Sequence, residues 1–204
     1  MRIENARVYG IEETIRASAF PMQVDVNFEE APEQGTKRLQ KLGQAKPGSG
    51  HDCALKGIVV QADVTAPQYW WLQFGRYHFA DIVSSQSKMH RITRMNLKDQ
   101  CNRYVDEEVR RHLEKLIENY NNTPLEPEAK KELFQRIIAN TPMGLMLTAR
   151  ITTNYLQLKN MYYQRRNHKL EEWQIFCAWM RGLPYFCEFT GCDSETAPSR
   201  AGSS

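Results

Sequence analysis

The sequence predicts an α+β fold, and three observations carry that expectation. Only two segments, Leu55 to Ala66 and Leu145 to Thr153, have the composition of strands. They lie far apart and do not alternate regularly with helices, which argues against a doubly wound sheet. Between them Val105, Val109, Leu113, Leu116 and Tyr120 recur three or four residues apart, one apolar stripe along a long helix.

In chain order, Gly10 to Phe20 predicts a short helix ended by Pro21. Residues 23–36 suggest an acidic loop with Pro32 and Gly35, and Gly35 to Gln44 a second short helix. Pro47-Gly48-Ser49-Gly50 marks a turn. The first strand is rich in β-branched side chains: Ile58, Val59, Val60, Val64 and Thr65. Pro67 suits the first turn of a helix, where its missing N–H would have no partner anyway. That helix, Gln68 to about His78, carries Tyr69, Trp70, Trp71, Leu72 and Phe74, a density that implies burial or a subunit interface. Ser84-Ser85-Gln86-Ser87 is short-chained, polar and aperiodic, and predicts a loop leading into a basic turn. Pro124 and Pro127 separate the long helix from another, Glu128 to Ala139. Thr141-Pro142-Met143-Gly144 then breaks the chain before the second strand. Asn154 can cap the next helix, because its side-chain oxygen can accept a free backbone N–H. That helix runs to about Arg166, and a last one from near Leu170 to Gly182-Leu183-Pro184. Gly191 to Ser204 is rich in Ser, Gly, Pro and Ala and predicts a disordered tail.

With 204 residues, 41% hydrophobic and 25% charged, the chain can bury one sizeable core or at most two small ones. No apolar run approaches the roughly 20 residues that span a bilayer. Met1-Arg2-Ile3-Glu4-Asn5 lacks an apolar signal core, so an intracellular protein is expected. Five irregularly spaced cysteines argue against a disulfide framework, and Cys187 and Cys192 have no partner pair at zinc-finger spacing. Reduced thiols and no metal are the expectation. A net charge of +3 is too small to mark a nucleic-acid binder. Lys88, His90, Arg91 and Arg94, and again Arg165, Arg166, His168 and Lys169, form local clusters. Such clusters suit a small anionic ligand or a solvated face rather than a long polyanion.

Three segments together resemble the flavin-dependent thymidylate synthases. Gly50-His51-Asp52 precedes a strand ending in Ala66-Pro67, and then comes Gln73-x-x-Arg76-Tyr77-His78. A serine-rich stretch, Ser84 to Ser87, follows where the family carries its signature serine. Pro142, a strand, Asn154, Arg166 and Trp173-Gln174-Ile175 complete the order, so the resemblance spans roughly residues 10–185. The departures mark a divergent member, phage-encoded members included. The family's Arg-His-Arg is Arg76-Tyr77-His78 here. Ser87 lies one residue beyond the signature serine's place, unless Gln86 replaces it, and Leu156 stands where the family has an arginine.

The resemblance implies a central antiparallel sheet with flanking long helices, the fold of the thymidylate-synthase-complementing proteins, in one domain over residues 1–190. It implies methylation of deoxyuridine monophosphate (dUMP) to thymidylate, with FAD as cofactor and methylenetetrahydrofolate and NADPH as co-substrates. Another 5-substituted deoxyuridylate, or a non-catalytic nucleotide-binding homologue, are the alternatives. His51, Arg76, His78 and Asn154 would face the flavin; Gln73, Ser84, Ser85, Ser87, Arg136 and Arg166 would face the nucleotide. No covalent catalytic residue is implied. Ser84, Ser85 and Ser87 with their N–H groups suggest a phosphate nest or else a plain polar turn. Arg166 offers a planar fork to phosphate or to a uracil carbonyl. A homotetramer in the cytoplasm of a bacterial or phage-infected cell is implied, with no membrane and no nucleic-acid partner.

Overall fold

The computed structural model describes residues 1–26, 32–46 and 48–192. The expected tail therefore lies, beyond Cys192, outside the described residues, as do Pro47 and part of the acidic loop. In chain order the elements are β1 (Arg2–Tyr9), α1 (Ile11–Ala17), α2 (Pro32–Gly43), β2 (Val59–Pro67), α3 (Gln68–Phe74), β3 (Asp81–Ser85), α4 (Lys88–Arg91) and α5 (Leu97–Gln100). They continue with α6 (Glu107–Asn122), α7 (Pro127–Ala139), β4 (Met146–Asn154), α8 (Tyr155–Arg165), α9 (Glu171–Arg181) and α10 (Phe186–Thr190). The strands form one antiparallel sheet in the order β1-β2-β4-β3, so β2 and β4 are central. This is the expected α+β architecture.

Several boundaries differ from the sequence expectation. The 23–36 segment is helical from Pro32 on, with α2 beginning three residues before Gly35. A 3-10 helix, His51–Gly57, occupies the start of the expected first strand, and α3 stops at Phe74, before Gly75. Ser84 and Ser85 belong to a strand rather than a loop, because the chain there runs along β4 at the sheet edge. Val109 on the apolar stripe is 44% exposed, while Leu113 and Leu116 are buried as expected. Cys187 and Cys192 form a disulfide, against the expectation of reduced thiols. The turn that closes α10 with Gly191 in the left-handed conformation brings their Cα atoms to 4.8 Å, within bridging reach.

The chain divides into two compact units. The first contains Met1–Glu4, Asp63–His78 and Ile82–Ile151. Its core joins Leu113, Leu116 and Ile117 of α6 to Ile137 of α7, with Ile92, Leu97 and Leu145. Within its part of the sheet, Thr65 Oγ1 meets Thr148 Oγ1 at 2.8 Å and Arg150 pairs with Asp63 at 3.1 Å. Cross-strand pairs of this kind fix the register of β2 against β4. The second unit contains Asn5–Ala62, Phe79–Asp81 and the chain from Thr152. It buries Leu39 of α2, Tyr155 and Leu158 of α8, Trp173 and Phe176 of α9, and Phe186 and Phe189 of α10. Gly43 ends α2 where a Cβ would collide with the Phe189 carbonyl oxygen, so glycine permits the close approach of α2 and α10.

Candidate functional site

In the first unit, Pro67 turns β2 directly into α3. The first helical residue, Gln68, is pinned on three sides. Its N–H donates to Leu145 O at 3.1 Å, and its Nε2 donates to Pro142 O at 3.0 Å. Its Oε1 accepts from Lys88 Nζ at 2.9 Å. One turn on, Trp71 Nε1 donates to Ala66 O at 3.1 Å and to Leu147 O at 3.0 Å, which fixes its indole against the sheet. Beside these groups is a cavity of about 380 Å³, walled by Trp71, Leu72, Ile82, Met143, Leu147 and Ala149 and supplied with polar atoms by Gln68, Ser85 and Lys88. An apolar cleft with a few fixed polar groups is the usual form of a small-ligand site. Lys88 is the cation here. One of its ammonium N–H groups donates to Gln68 Oε1, and the others are left for a ligand.

The nucleotide candidates of this unit divide by place. Ser85 lines the cavity; Ser84, its neighbour on an extended strand, does not. Ser87 caps α4, its Oγ accepting from His90 N–H at 3.4 Å. Extended backbone at Ser84 and Ser85 alternates its N–H groups, so these serines do not make the converging nest that a turn would. Gln73 is half-buried on α3. Arg76 and His78 are exposed beyond its end, and among the described residues their side chains make no hydrogen bond or ion pair. Arg136 lies apart from Ser85, lining a separate cavity of about 440 Å³ with Asn119, Thr123 and Glu132.

In the second unit, Gly50 takes φ +79°, a left-handed conformation that glycine adopts without strain, and so starts the 3-10 turn with His51 exposed at its head. His51 and Cys53 line a cavity of about 900 Å³ with Arg38, Lys41, Leu42 and Ala45. Among the described lining residues there is no carboxylate, and Arg38 and Lys41 are cations that suit an anionic ligand. Asn154 caps α8 as expected, its Oδ1 accepting from Gln157 N–H at 2.9 Å. Arg166 is at the C-terminal end of α8, half-buried, with its guanidinium 5.2 Å from the Tyr163 ring centre. Its neighbour Arg165 stacks instead on Trp173, at 4.6 Å. His168 Nδ1 accepts from Leu170 N–H at 3.1 Å, and burial, followed by the charge of Arg165, pushes its pKa down.

The cysteines divide clearly. Burial pushes the Cys177 thiol up to about 11 and raises that of Cys101 as well, while Cys53 is exposed. Neither Cys101 nor Cys177 has the lowered pKa of a nucleophilic thiol.

No protein-family model matches the sequence, and no curated protein does. Solved structures match along almost the whole chain. The flavin-dependent thymidylate synthase ThyX from Helicobacter pylori, complexed with FAD and dUMP, superposes with a TM-score of 0.72 over 95% of this chain and 99% of that one, at 15% identity. A second structure of the Helicobacter pylori protein with FAD and dUMP gives the same TM-score at 14% identity, covering 95% and 98%. The chain has the flavin-dependent thymidylate synthase fold. The same fold relates it to the UMP/dUMP methylase PolB from Streptomyces cacaoi bound with 5-Br dUMP, at a TM-score of 0.64 and 10% identity over 93% of this chain and 91% of that one.

The sequence named Lys88 only within a basic cluster and Asp52 only within a motif, and it gave no role to Gln68 or Lys159, the partners they meet in the structure. Lys88 belonged to a basic cluster in the sequence, and the Pro67-Gln68 junction was visible. Their meeting depends on Pro142, 74 residues from Gln68, and no local pattern carries that.

Proposed function

We propose that the protein is a flavin-dependent enzyme that methylates dUMP to thymidylate. Methylenetetrahydrofolate is the carbon donor and NADPH the reductant. The observation that carries this reading is the match of the fold, nearly end to end, to a thymidylate synthase whose structure holds FAD and dUMP. Residues 1–190 then act as one functional domain, repeated in a homotetramer in the cytoplasm.

Each cavity supports part of this reading. In the first unit, Lys88 and the Ser85 hydroxyl hold the nucleotide's phosphate, and Gln68 keeps the ammonium in place. Trp71, Leu72 and Met143 exclude water from the pyrimidine ring, which strengthens each polar contact around it. Gln73 is proposed for the base or sugar edge, and Ser84, Ser87 and Arg136 as nucleotide-facing residues outside that cavity; Arg166, a residue of the second unit, is proposed separately as a nucleotide ligand through its planar fork. In the second unit, His51 and the cations of its cavity receive the flavin's pyrophosphate; Arg76 and His78, residues of the first unit, are proposed separately as flavin ligands. Asn154 spends its side-chain oxygen on the α8 cap, so only its amide N–H₂ is left for a ligand. Flavin, when bound in reduced form, supplies the hydride; the protein binds, orients and desolvates.

Incubation of purified protein with FAD, NADPH, methylenetetrahydrofolate and dUMP, followed by mass spectrometry of the nucleotide, tests the reading. A gain of one methyl group on the uracil ring is expected. Unchanged dUMP under these conditions contradicts it. The departures at His78 and Leu156 favour a second reading, a non-catalytic nucleotide-binding homologue, which dUMP binding without any mass gain would reveal.

A further inference from the structure

Two segments of the second unit form facing parts of the 900 Å³ cavity wall: the end of α2, with Leu42 and Ala45, and the 3-10 turn, with His51, Cys53 and Ala54. Lys159 of α8 joins them from behind. Its Nζ donates to Gly43 O at 2.7 Å, to Ala45 O at 2.8 Å and to Asp52 Oδ2 at 2.7 Å. Three donors meet three acceptors, so the ammonium is saturated. The lysine side chain is 1% exposed and that of Asp52 is 4% exposed.

Gly43 is the last residue of α2, where carbonyl oxygens lack intrahelical donors and a cation is favoured, and Ala45 lies in the turn just beyond it. An apolar side chain at position 159 would leave both unpaired. Asp52 sits between His51 and Cys53, both on the cavity, yet its own charge is turned inward and matched by Lys159. The carboxylate nearest to His51 in sequence therefore does not oppose an anion in the cavity, where the charged residues among the described lining are Arg38 and Lys41. Arg38 is itself anchored, with Nε donating to Ser18 Oγ at 3.0 Å.

We propose that Lys159 is a positioning residue for this cavity: it clamps the His51 turn to the end of α2 and cancels Asp52, so that the cavity accepts an anionic ligand. The ligand, FAD, rests on the functional reading above; the clamp does not. Two measurements separate them. Hydrogen exchange of the ligand-free protein reads the wall, and fluorescence quenching during FAD titration reads the ligand.

Lys159→Met keeps length and removes all three donors. It is expected to raise exchange at the amides from Gly43 to Gly57 and to weaken FAD binding at least tenfold. Asp52→Asn keeps an oxygen that can accept the third N–H and removes the ion pair, and is expected to produce a smaller change in both. Met180→Ala, a core truncation on α9, lowers the melting temperature but leaves exchange at Gly43 to Gly57 and FAD affinity unchanged. Unaltered exchange in Lys159→Met overturns the clamp whatever FAD does. Equal loss of FAD affinity in Met180→Ala reduces Lys159 to a general stabiliser and overturns it too. If wild-type protein ignores FAD, the flavin reading fails by itself; inorganic pyrophosphate then serves as the anionic probe, with the same order of affinities expected. If Lys159→Met does not fold, Asp52→Asn carries the comparison, and no rise in exchange there overturns the proposal.

Discussion

Two arginines adjacent in sequence end α8, and their surroundings assign them different work. Arg165 stacks on the buried Trp173, whereas Arg166 lies over the half-buried Tyr163 ring. Arg166→Ala is expected to cost roughly 1.5–3 kcal/mol of dUMP binding, the worth of a charge-assisted contact. That is about a tenfold to hundredfold rise in Kd by calorimetry. Arg166→Lys should recover only part, because one point charge replaces a planar fork. Arg165→Ala should leave dUMP binding intact and instead lower stability by about 0.5–1 kcal/mol, through the lost cation–π contact. Equal losses of binding at the two positions would mean a diffuse basic surface. His168 supplies a pH signature on the same turn. Its folded pKa lies below the ordinary 6.5, so the unfolded chain takes up the proton first as pH falls. The stability it contributes is present above pH 6.5 and is lost as pH drops below that value toward the folded pKa. Protonation also removes the lone pair that Leu170 N–H donates to. His168→Phe should abolish this part of the acid-side decline in melting temperature; an unchanged decline would show that His168 does not carry it.

At the scale of elements, the cap on α8 was legible because an Asn between a strand and an apolar helix has one economical use. Asn154→Ala should cost about 0.5–2 kcal/mol by urea denaturation, the ordinary worth of such a cap. A loss below that range would mean that the Gln157 N–H finds water or another acceptor. The long helices and central strands were equally legible, since Leu113, Leu116 and the β-branched run of β2 carry clear periods or compositions. The edge strands were not. All five residues of β3 are exposed, so no buried face imposes alternation on Asp-Ile-Val-Ser-Ser. In β1 the half-buried Ile3 and Val8 are an odd number of residues apart, and Asn5 between them takes φ +51°, which breaks the two-residue period. The short α10 and its disulfide escaped for another reason: closure of that turn depends on Gly191 adopting the left-handed conformation. Among the cavity-lining residues, His51 and Ser85 were named from motif order and the Asn154 cap from its position, but Gln68 with Lys88, and Lys159 with Asp52, are tertiary meetings with no local trace.

At the scale of the molecule, the fold stays the same where the sequence does not. A TM-score of 0.72 at 15% identity means that the backbone path persists while most side chains change. The departures at His78 and Leu156 leave the architecture intact, and their proposed effect is on ligand affinity. No described helix is long and apolar enough to cross a membrane. The proposed homotetramer predicts four times the chain mass of 23.8 kDa in light scattering at micromolar concentration, and a strict monomer would remove the argument for sites shared between subunits. The most direct test of the functional proposal is an FAD titration of the purified protein by visible absorption and fluorescence, repeated with dUMP present. Saturable quenching with a shifted flavin spectrum, altered again by dUMP, is the predicted result. A flavin spectrum that stays that of free FAD at high protein concentration, with and without dUMP, would contradict it.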